Sequence, residues 1–115
     1  MRLRSDIWVA AYLRRCGVEG ASAVLRRRGA AEAGAIFVKV DHLNGRATLY
    51  GPAPQSVAAE IRPGVERIFV LAHSGESIDS GEAEERLKRE IAFDPDLWIV
   101  EVENSPPGAW LDLAR

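Results

Sequence analysis

The first run of apolar residues has helical spacing and covers residues 5–17, without any proline. Ser5 is predicted to be the N-cap of this helix, and Gly17 is predicted to end it. The predicted buried stripe consists of Ile7, Ala10 and Ala11, which Trp8 and Cys16 could extend, with Tyr12 at its edge. The pattern therefore predicts an amphipathic helix in this part of the chain.

The clearest alternation of apolar and polar residues lies on both sides of Asn44-Gly45. An Asn-Gly pair is typical of the type I′ turn of a β-hairpin, because both central residues of that turn need positive φ. This turn would pair His42 with Ala47, on a core face that consists of Ile36, Val38, Val40, His42, Ala47 and Leu49. The opposite, mostly solvent-exposed face would carry an apolar patch formed by Phe37 and Tyr50.

Further strands are predicted in residues 22–28, 66–74 and 97–104, where β-branched and aromatic residues cluster. Residues 66–74 are apolar enough to form a central strand of a sheet. Residues 56–61 fit a helical turn or a short strand equally well. Together with the hairpin, these segments supply a sheet of four to five strands.

A second helix is predicted to begin after Asp79, because Asp79 and Glu82 have the spacing of a capping box. Pro95 is predicted to end this helix, because proline disfavours helical backbone at the preceding residue. The buried stripe would consist of Ala83, Leu87 and Ile91. The order of elements predicts an α+β fold, in which two helices pack on a mainly antiparallel sheet.

The chain has 115 residues, of which 47% are apolar and 28% are charged, so we expect one globular domain over residues 1–115. No stretch approaches the roughly 20 apolar residues of a membrane span, and the N-terminus does not resemble a secretory signal. The single cysteine, Cys16, excludes an intrachain disulfide and fits a reducing compartment. We therefore expect a cytoplasmic protein without a membrane partner.

The net charge of −2 conceals an asymmetry along the chain. Residues 1–28 contain seven arginines and two acidic residues, whereas the remaining residues contain eight basic and fifteen acidic ones. We predict an interaction surface that consists of Arg26, Arg27, Arg28, Phe37 and Tyr50. Its arginines suit an acidic protein partner, which a second copy of the chain would supply. They suit nucleic acid less well, because no aromatic residue is interleaved with them.

Four carboxylates, those of Asp94, Asp96, Glu101 and Glu103, lie within ten residues of one another. Glu101 and Glu103 share one face of a predicted strand, and we expect that face to be in solvent because the apolar residues between them face inward. The spacing does not match a calcium-binding loop, and Asp96 is typical of a turn. We therefore predict no metal site, although the pattern leaves open whether the four acids converge.

The chain contains no recognisable catalytic motif. His42 is expected at the edge of the core, and His73 precedes Ser74, whose side chain would point to the opposite face of a strand. Cys16 lies near the C-terminal end of a helix, where the helix dipole disfavours a thiolate. We therefore assign no catalytic residue and no cofactor.

The blocks RSDIWVAAYLRRC, GAIFVKV, LYGPAPQ and REIAFDPDLWIVEVE resemble those of a family of short alphaproteobacterial proteins known only as a domain of unknown function. The resemblance covers nearly the whole chain, and FDPDLWIVEVE is its most specific block. Because that family has no assigned activity, the resemblance implies a small soluble bacterial domain and carries no functional residue onto these positions.

Three functions remain from the sequence. The opposed charges and the lack of a catalytic constellation favour a non-catalytic interaction or structural domain, which could bind a protein partner or form a homodimer. An alternative is a small-ligand or enzymatic site that uses His42 or His73 with nearby carboxylates. A second alternative is nucleic-acid binding through the N-terminal arginines.

Overall fold

The computed structural model of the chain describes residues 3–54 and 67–114. In chain order these residues form α1 (Ser5–Val18), β1 (Ser22–Arg27), β2 (Ile36–Asp41), β3 (Arg46–Pro52), β4 (Phe69–Leu71), β5 (Ile78–Asp79), α2 (Ser80–Phe93) and β6 (Trp98–Glu103). The predicted α+β class, with two helices on a mainly antiparallel sheet, is confirmed. The interpretation of residues 56–61 lies outside the described residues.

Strand β6 is an inner strand of the sheet, between β1 and β2, although it is the last strand in the chain. The strand order is β1-β6-β2-β3-β4, and the short β5 also pairs with β3. β6 is antiparallel to β1 and parallel to β2. Its apolar residues Trp98, Ile99, Val100 and Val102 are all buried, because both faces of the strand are covered.

Strand β4 lies at the edge of the sheet, so the prediction that residues 66–74 form a central strand is wrong. Only Phe69–Leu71 pair with β3. The apolar composition of this segment has a different cause: Phe69 is buried, and it forms a bridge with Leu113 of the C-terminal segment. An apolar run therefore indicates that a segment is buried, but not what buries it. Here the C-terminal segment covers β4 on the side where a central strand would have another strand.

The β2–β3 hairpin is confirmed, but its register differs by one residue from the predicted one. Asp41 pairs with Ala47, and Val38 pairs with Tyr50. Because side chains alternate along a strand, a shift of one residue moves all side chains of β3 to the other face relative to β2. Tyr50 therefore shares a face with Val38, and Phe37 lies on the opposite face.

The shift arises in the hairpin loop, which spans residues 42–45 and is longer than a two-residue turn. Positive φ occurs at Leu43 and Gly45, and not at Asn44, so the turn is not of type I′. The Asp41 carboxylate accepts a hydrogen bond from the Leu43 N–H at 2.8 Å. Such side-chain contacts to the backbone favour the longer loop.

Helices cover both faces of the sheet, and we call these the α1 face and the α2 face. The core on the α1 face includes Val9, Tyr12, Cys16, Val38, Tyr50, Phe69, Trp98 and Val100. The core on the α2 face consists mainly of Phe37, Leu49, Leu87, Leu97 and Ile99. The predicted solvent-exposed hairpin face is therefore wrong: Phe37 and Tyr50 are each 7% exposed and lie in opposite cores.

Helix α1 buries a different stripe from the predicted one, namely Ser5, Val9, Tyr12 and Cys16, while Ile7 is half exposed. Ser5 is the first helical residue and does not act as the N-cap, which is Arg4. The buried Ser5 hydroxyl donates a hydrogen bond to the Gly34 carbonyl at 2.6 Å. Because one residue of the buried stripe is the polar Ser5, the spacing of apolar residues alone does not identify this stripe.

Helix α2 matches the prediction closely. Asp79 is its N-cap and accepts a hydrogen bond from the Gly81 N–H at 2.9 Å, and the helix ends at Phe93, two residues before Pro95. Ala83 and Leu87 are buried. Neither helix of the described segments has the length and apolar run that a membrane span requires.

We predict that Leu87→Ala lowers the free energy of unfolding by about 2–5 kcal/mol, because the substitution leaves a cavity between α2 and the sheet. Phe93→Ala in the same helix is the matched control, since Phe93 is 88% exposed. Urea unfolding followed by circular dichroism measures both. Equal losses from the two variants would contradict the packing of α2 described above.

Candidate functional site

Four charged side chains from four elements meet on the α2 face, and we call them the charge network. They are Arg26 of β1, Lys39 of β2, Glu84 of α2 and Glu101 of β6. Arg26 contacts both oxygens of Glu84 at 2.8 Å and one oxygen of Glu101 at 3.0 Å. The Lys39 ammonium lies 2.6 Å from a Glu84 oxygen and 3.6 Å from a Glu101 oxygen. Each cation thus contacts both carboxylates.

The register of the sheet brings three of these residues together. Lys39 and Glu101 are direct partners in the parallel β2–β6 pair. β1 has a β-bulge between Leu25 and Arg27, which leaves Arg26 without a partner on β6. Bulges redirect side chains in this way, and the Arg26 side chain reaches over Glu101. Glu84 then joins the network from α2, which lies on the same face.

Burial of Lys39 makes the network a requirement of the fold. The Lys39 side chain is only 7% exposed, although we expected the hairpin face that carries it to be mostly in solvent. A buried ammonium without a partner costs several kcal/mol, so contacts with carboxylates must offset its desolvation. Glu84 and Glu101 provide these contacts.

The network shifts the pKa values of Glu84 and Arg26. Hydrogen bonds from Arg26 and Lys39 outweigh partial burial and lower the pKa of Glu84 to about 2. The hydrogen bond to Glu84 raises the pKa of Arg26, against the opposing effect of desolvation. Both groups therefore stay charged at any pH near neutrality.

Three neighbouring carboxylates form a group that we call the acidic triad: Asp41, Glu103 and Glu101, of which Glu101 also belongs to the charge network. One oxygen atom from each lies within 4.8 Å of the others. Asp41 and Glu103 are direct partners across the β2–β6 pair. Carboxylate oxygens are ligands that Ca²⁺ and Mg²⁺ prefer, so these residues could hold a cation. The contacts of Glu101 with Arg26 and Lys39 would compete with that cation.

The four carboxylates considered from the sequence divide into two pairs. Glu101 and Glu103 belong to the acidic triad, whereas Asp94 and Asp96 lie in the turn after α2. Asp94 is the C-cap of α2, and its carboxylate accepts a hydrogen bond from the Asp96 N–H at 3.0 Å. The expectation that Glu101 faces solvent is wrong, because its side chain is 19% exposed and lies within the charge network.

The three arginines of the predicted interaction surface each have a contact within the chain. Arg26 belongs to the charge network, Arg27 donates to the Pro95 carbonyl at 2.7 Å, and Arg28 lies over the Trp98 ring at 5.2 Å. They therefore do not form one basic patch. The interaction role of these arginines stays a prediction, and Phe37 and Tyr50 contribute to the cores as described above.

Neither histidine is joined to the acidic triad. His42 is exposed in the hairpin loop, not beside Ala47 as predicted, and its Nε2 lies 2.7 Å from the Thr48 hydroxyl. His73 Nε2 accepts from the Leu49 N–H at 3.1 Å, so its Nδ1 carries the proton and donates to the Ser74 carbonyl. Both ring nitrogens of His73 are thus occupied by structural hydrogen bonds.

Cys16 is inaccessible and unreactive in this fold. It is fully buried in the core of the α1 face. Burial raises the pKa of its thiol, against a smaller opposing effect of the hydrogen bond with Tyr12. A thiolate nucleophile at this position is therefore disfavoured.

The fold and the charge network define a small α+β domain with a central parallel strand pair and an internal set of ion pairs. The chain belongs to the family described as Protein of unknown function (DUF1491), whose model matches residues 3–112. This confirms the resemblance found in the sequence. No curated protein matches the chain.

Solved structures of this family share the fold over almost the entire chain. The crystal structure of a DUF1491 family protein from Caulobacter crescentus CB15 is 33% identical, with a TM-score of 0.78 and full coverage of both chains. The solution structure of protein Atu0922 from A. tumefaciens is 42% identical, with a TM-score of 0.79, and the match covers 98% of this chain and 95% of that chain. Both sources are alphaproteobacteria.

We predict that Glu84→Gln lowers the free energy of unfolding by about 1 kcal/mol at neutral pH, an amount that allows for the partial exposure of Glu84. Because folding lowers the Glu84 pKa from 4.5 to about 2, the wild-type advantage is present above pH 4.5 and disappears as the pH falls toward 2. Urea unfolding between those pH values measures it. Glu85→Gln, an exposed neighbour, is the control, and a pH-independent difference would contradict the prediction.

We predict that Glu103→Gln raises the free energy of unfolding by a few tenths of a kcal/mol, because it relieves repulsion among neighbouring carboxylates of the acidic triad. Thermal unfolding in a chelator and in millimolar Ca²⁺ measures the effect, with Glu85→Gln again as the control for net charge. If Ca²⁺ stabilises the wild type and Glu103→Gln removes that stabilisation, the prediction of no metal site is wrong.

Proposed function

We propose that this domain is a non-catalytic interaction module that self-associates through the free edge of β1. The proposal rests on the position of β1 at one end of the strand order. One side of β1 pairs with β6, and the other side pairs with no strand among the described residues. Such an edge presents backbone N–H and C=O groups that can pair with another strand.

The side chains of β1 suit this role. Its residues alternate between exposed and partly buried, and Val24 is 54% exposed. The regular part of the strand ends at the bulge after Leu25, so about four residues can pair with a partner strand. A two-fold arrangement would place the same short segment of two copies side by side.

The charge network reduces the electrostatic cost of this pairing. Three free arginines at the end of β1 would repel the same arginines of a second copy. Arg26 is compensated by Glu84 and Glu101, and Arg28 is held over Trp98. Arg26 is thus neutralised within each copy, whereas Arg27 and Arg28 keep their charge and lie beyond the four residues that would pair.

Several contacts support a non-catalytic role and disfavour both an enzymatic site at His73 and nucleic-acid binding. Both ring nitrogens of His73 have structural partners, and Cys16 is buried. Nucleic-acid binding through Arg26, Arg27 and Arg28 loses support, because the three side chains contact different parts of the same chain.

We predict that the wild-type chain changes from monomer to dimer over about a hundredfold range of protein concentration, as measured by light scattering after size-exclusion chromatography. Val24→Glu should keep the chain monomeric, because two like-charged carboxylates would then lie close to each other across the paired edges. The control is Leu43→Glu, which adds the same charge to an exposed apolar position in the hairpin loop.

The same measurement at low and high salt distinguishes backbone pairing and apolar contacts from attraction between charged groups. Backbone pairing should persist at high salt, since hydrogen bonds and apolar contacts are not screened. A wild type that stays monomeric at every concentration and salt, or a dimer that Val24→Glu leaves intact, would contradict the proposal.

A further inference from the structure

A cavity of about 520 Å³ lies on the α1 face, between the loop end of the β2–β3 hairpin and the C-terminal segment. We call it the hairpin pocket. Its apolar wall consists of Val40, Tyr50, Leu71, Pro106, Pro107 and Leu113. The volume falls within the range of about 300–1,000 Å³ that is typical of small-ligand sites.

One cation lines the hairpin pocket. The Arg46 guanidinium is held by Ser77, whose hydroxyl accepts from Nε at 3.1 Å and whose carbonyl accepts from Nη2 at 2.8 Å. Arg46 forms no ion pair with any carboxylate in residues 3–54 and 67–114, unlike Arg26 or Arg86. Its position is therefore fixed while its charge stays uncompensated by the described residues.

A chain of hydrogen bonds determines which polar groups of the pocket remain available. The Thr48 hydroxyl donates to the Glu76 carbonyl at 2.8 Å, so it must accept from His42 Nε2–H at 2.7 Å. The proton of Thr48 is therefore already used. The Ser105 hydroxyl oxygen has no hydrogen-bond partner in the described part of the chain, but it is buried away from solvent, so a ligand in the pocket would not reach it. Arg46, two of whose N–H groups bond to Ser77, keeps further guanidinium N–H groups as available donors.

The backbone beside the pocket adopts a costly conformation. Gly108, Ala109 and Trp110 have positive φ values of 83°, 47° and 59° in succession. For each non-glycine residue this left-handed conformation costs roughly 1–2 kcal/mol. The buried Tyr12 hydroxyl holds the segment by donating to the Ala109 carbonyl at 2.9 Å. Strained backbone of this kind concentrates at ligand-binding sites.

We propose that the hairpin pocket binds a small organic carboxylate with an apolar body. The apolar wall would cover the body, while Arg46 would contact the carboxylate. A monoanion fits better than a phosphate dianion, because the lining contains both the positive charge of Arg46 and the acidic residue Glu76, and two guanidinium N–H groups already bond to Ser77.

This inference does not depend on the proposed self-association. The pocket lies between β3 and the C-terminal segment, whereas β1 is at the other end of the strand order. Val24→Glu should therefore leave ligand binding unchanged, and loss of either property would not remove the other.

The test is a titration of the ¹⁵N-labelled chain with phenylacetate and with hexanoate, followed by amide chemical shifts. We expect shifts at Thr48, Gly108 and Leu113, and an affinity for phenylacetate about tenfold higher than for the neutral phenylacetamide. Arg46→Gln should remove this preference for the acid. Arg14→Gln, an exposed arginine outside the pocket, should retain it.

Ser105→Ala tests the structural role of the buried hydroxyl beside the pocket. Because the hydroxyl has no hydrogen-bond partner among the described residues, its removal should leave the melting temperature unchanged or raise it. The proposal is overturned if neither carboxylate shifts the pocket amides at millimolar concentration, if the amide binds as well as the acid, or if Arg46→Gln binds like the wild type.

Discussion

Strand β6 has β1 along one edge and β2 along the other, and this position requires apolar side chains on both of its faces. Trp98 and Val100 enter the core under α1, whereas Ile99 enters the core under α2. The parallel pairing with β2 also places Glu101 beside Lys39. The two cores and the charge network thus share one cause, which is the insertion of the last strand into the middle of the sheet.

The buried ammonium of Lys39 explains why so many polar residues contact one another within the chain. Glu84 and Glu101 must approach Lys39, and Arg26 then balances the second negative charge. Two other surfaces of the described part of the chain keep groups that this network does not satisfy, namely the outer backbone edge of β1 and the hairpin pocket, where Arg46 lies.

The sequence predicted features that depend on residues close together in the chain, and it missed most features that depend on contacts between distant segments. Helix α2 was predicted well, because its cap, stripe and terminating proline act within a few residues. The stripe of α1 was missed, because Ser5 is a buried polar residue. The hairpin register was missed, since the loop is stabilised by the Asp41 side chain and a shift of one residue exchanges the faces. The charge network depends on the non-local β2–β6 pairing, and only a lysine within the apolar IFVKV strand indicates it.

We propose that the outer edge of β1, which pairs with no strand among the described residues, pairs with a second copy of the chain. Amide hydrogen exchange, measured at low and at high protein concentration, tests this most directly. Protection of the Ser22–Leu25 amides that face away from β6 should increase with concentration, while the amides of β6 stay equally protected throughout. Exchange of the β1 amides that does not change with concentration would contradict the account.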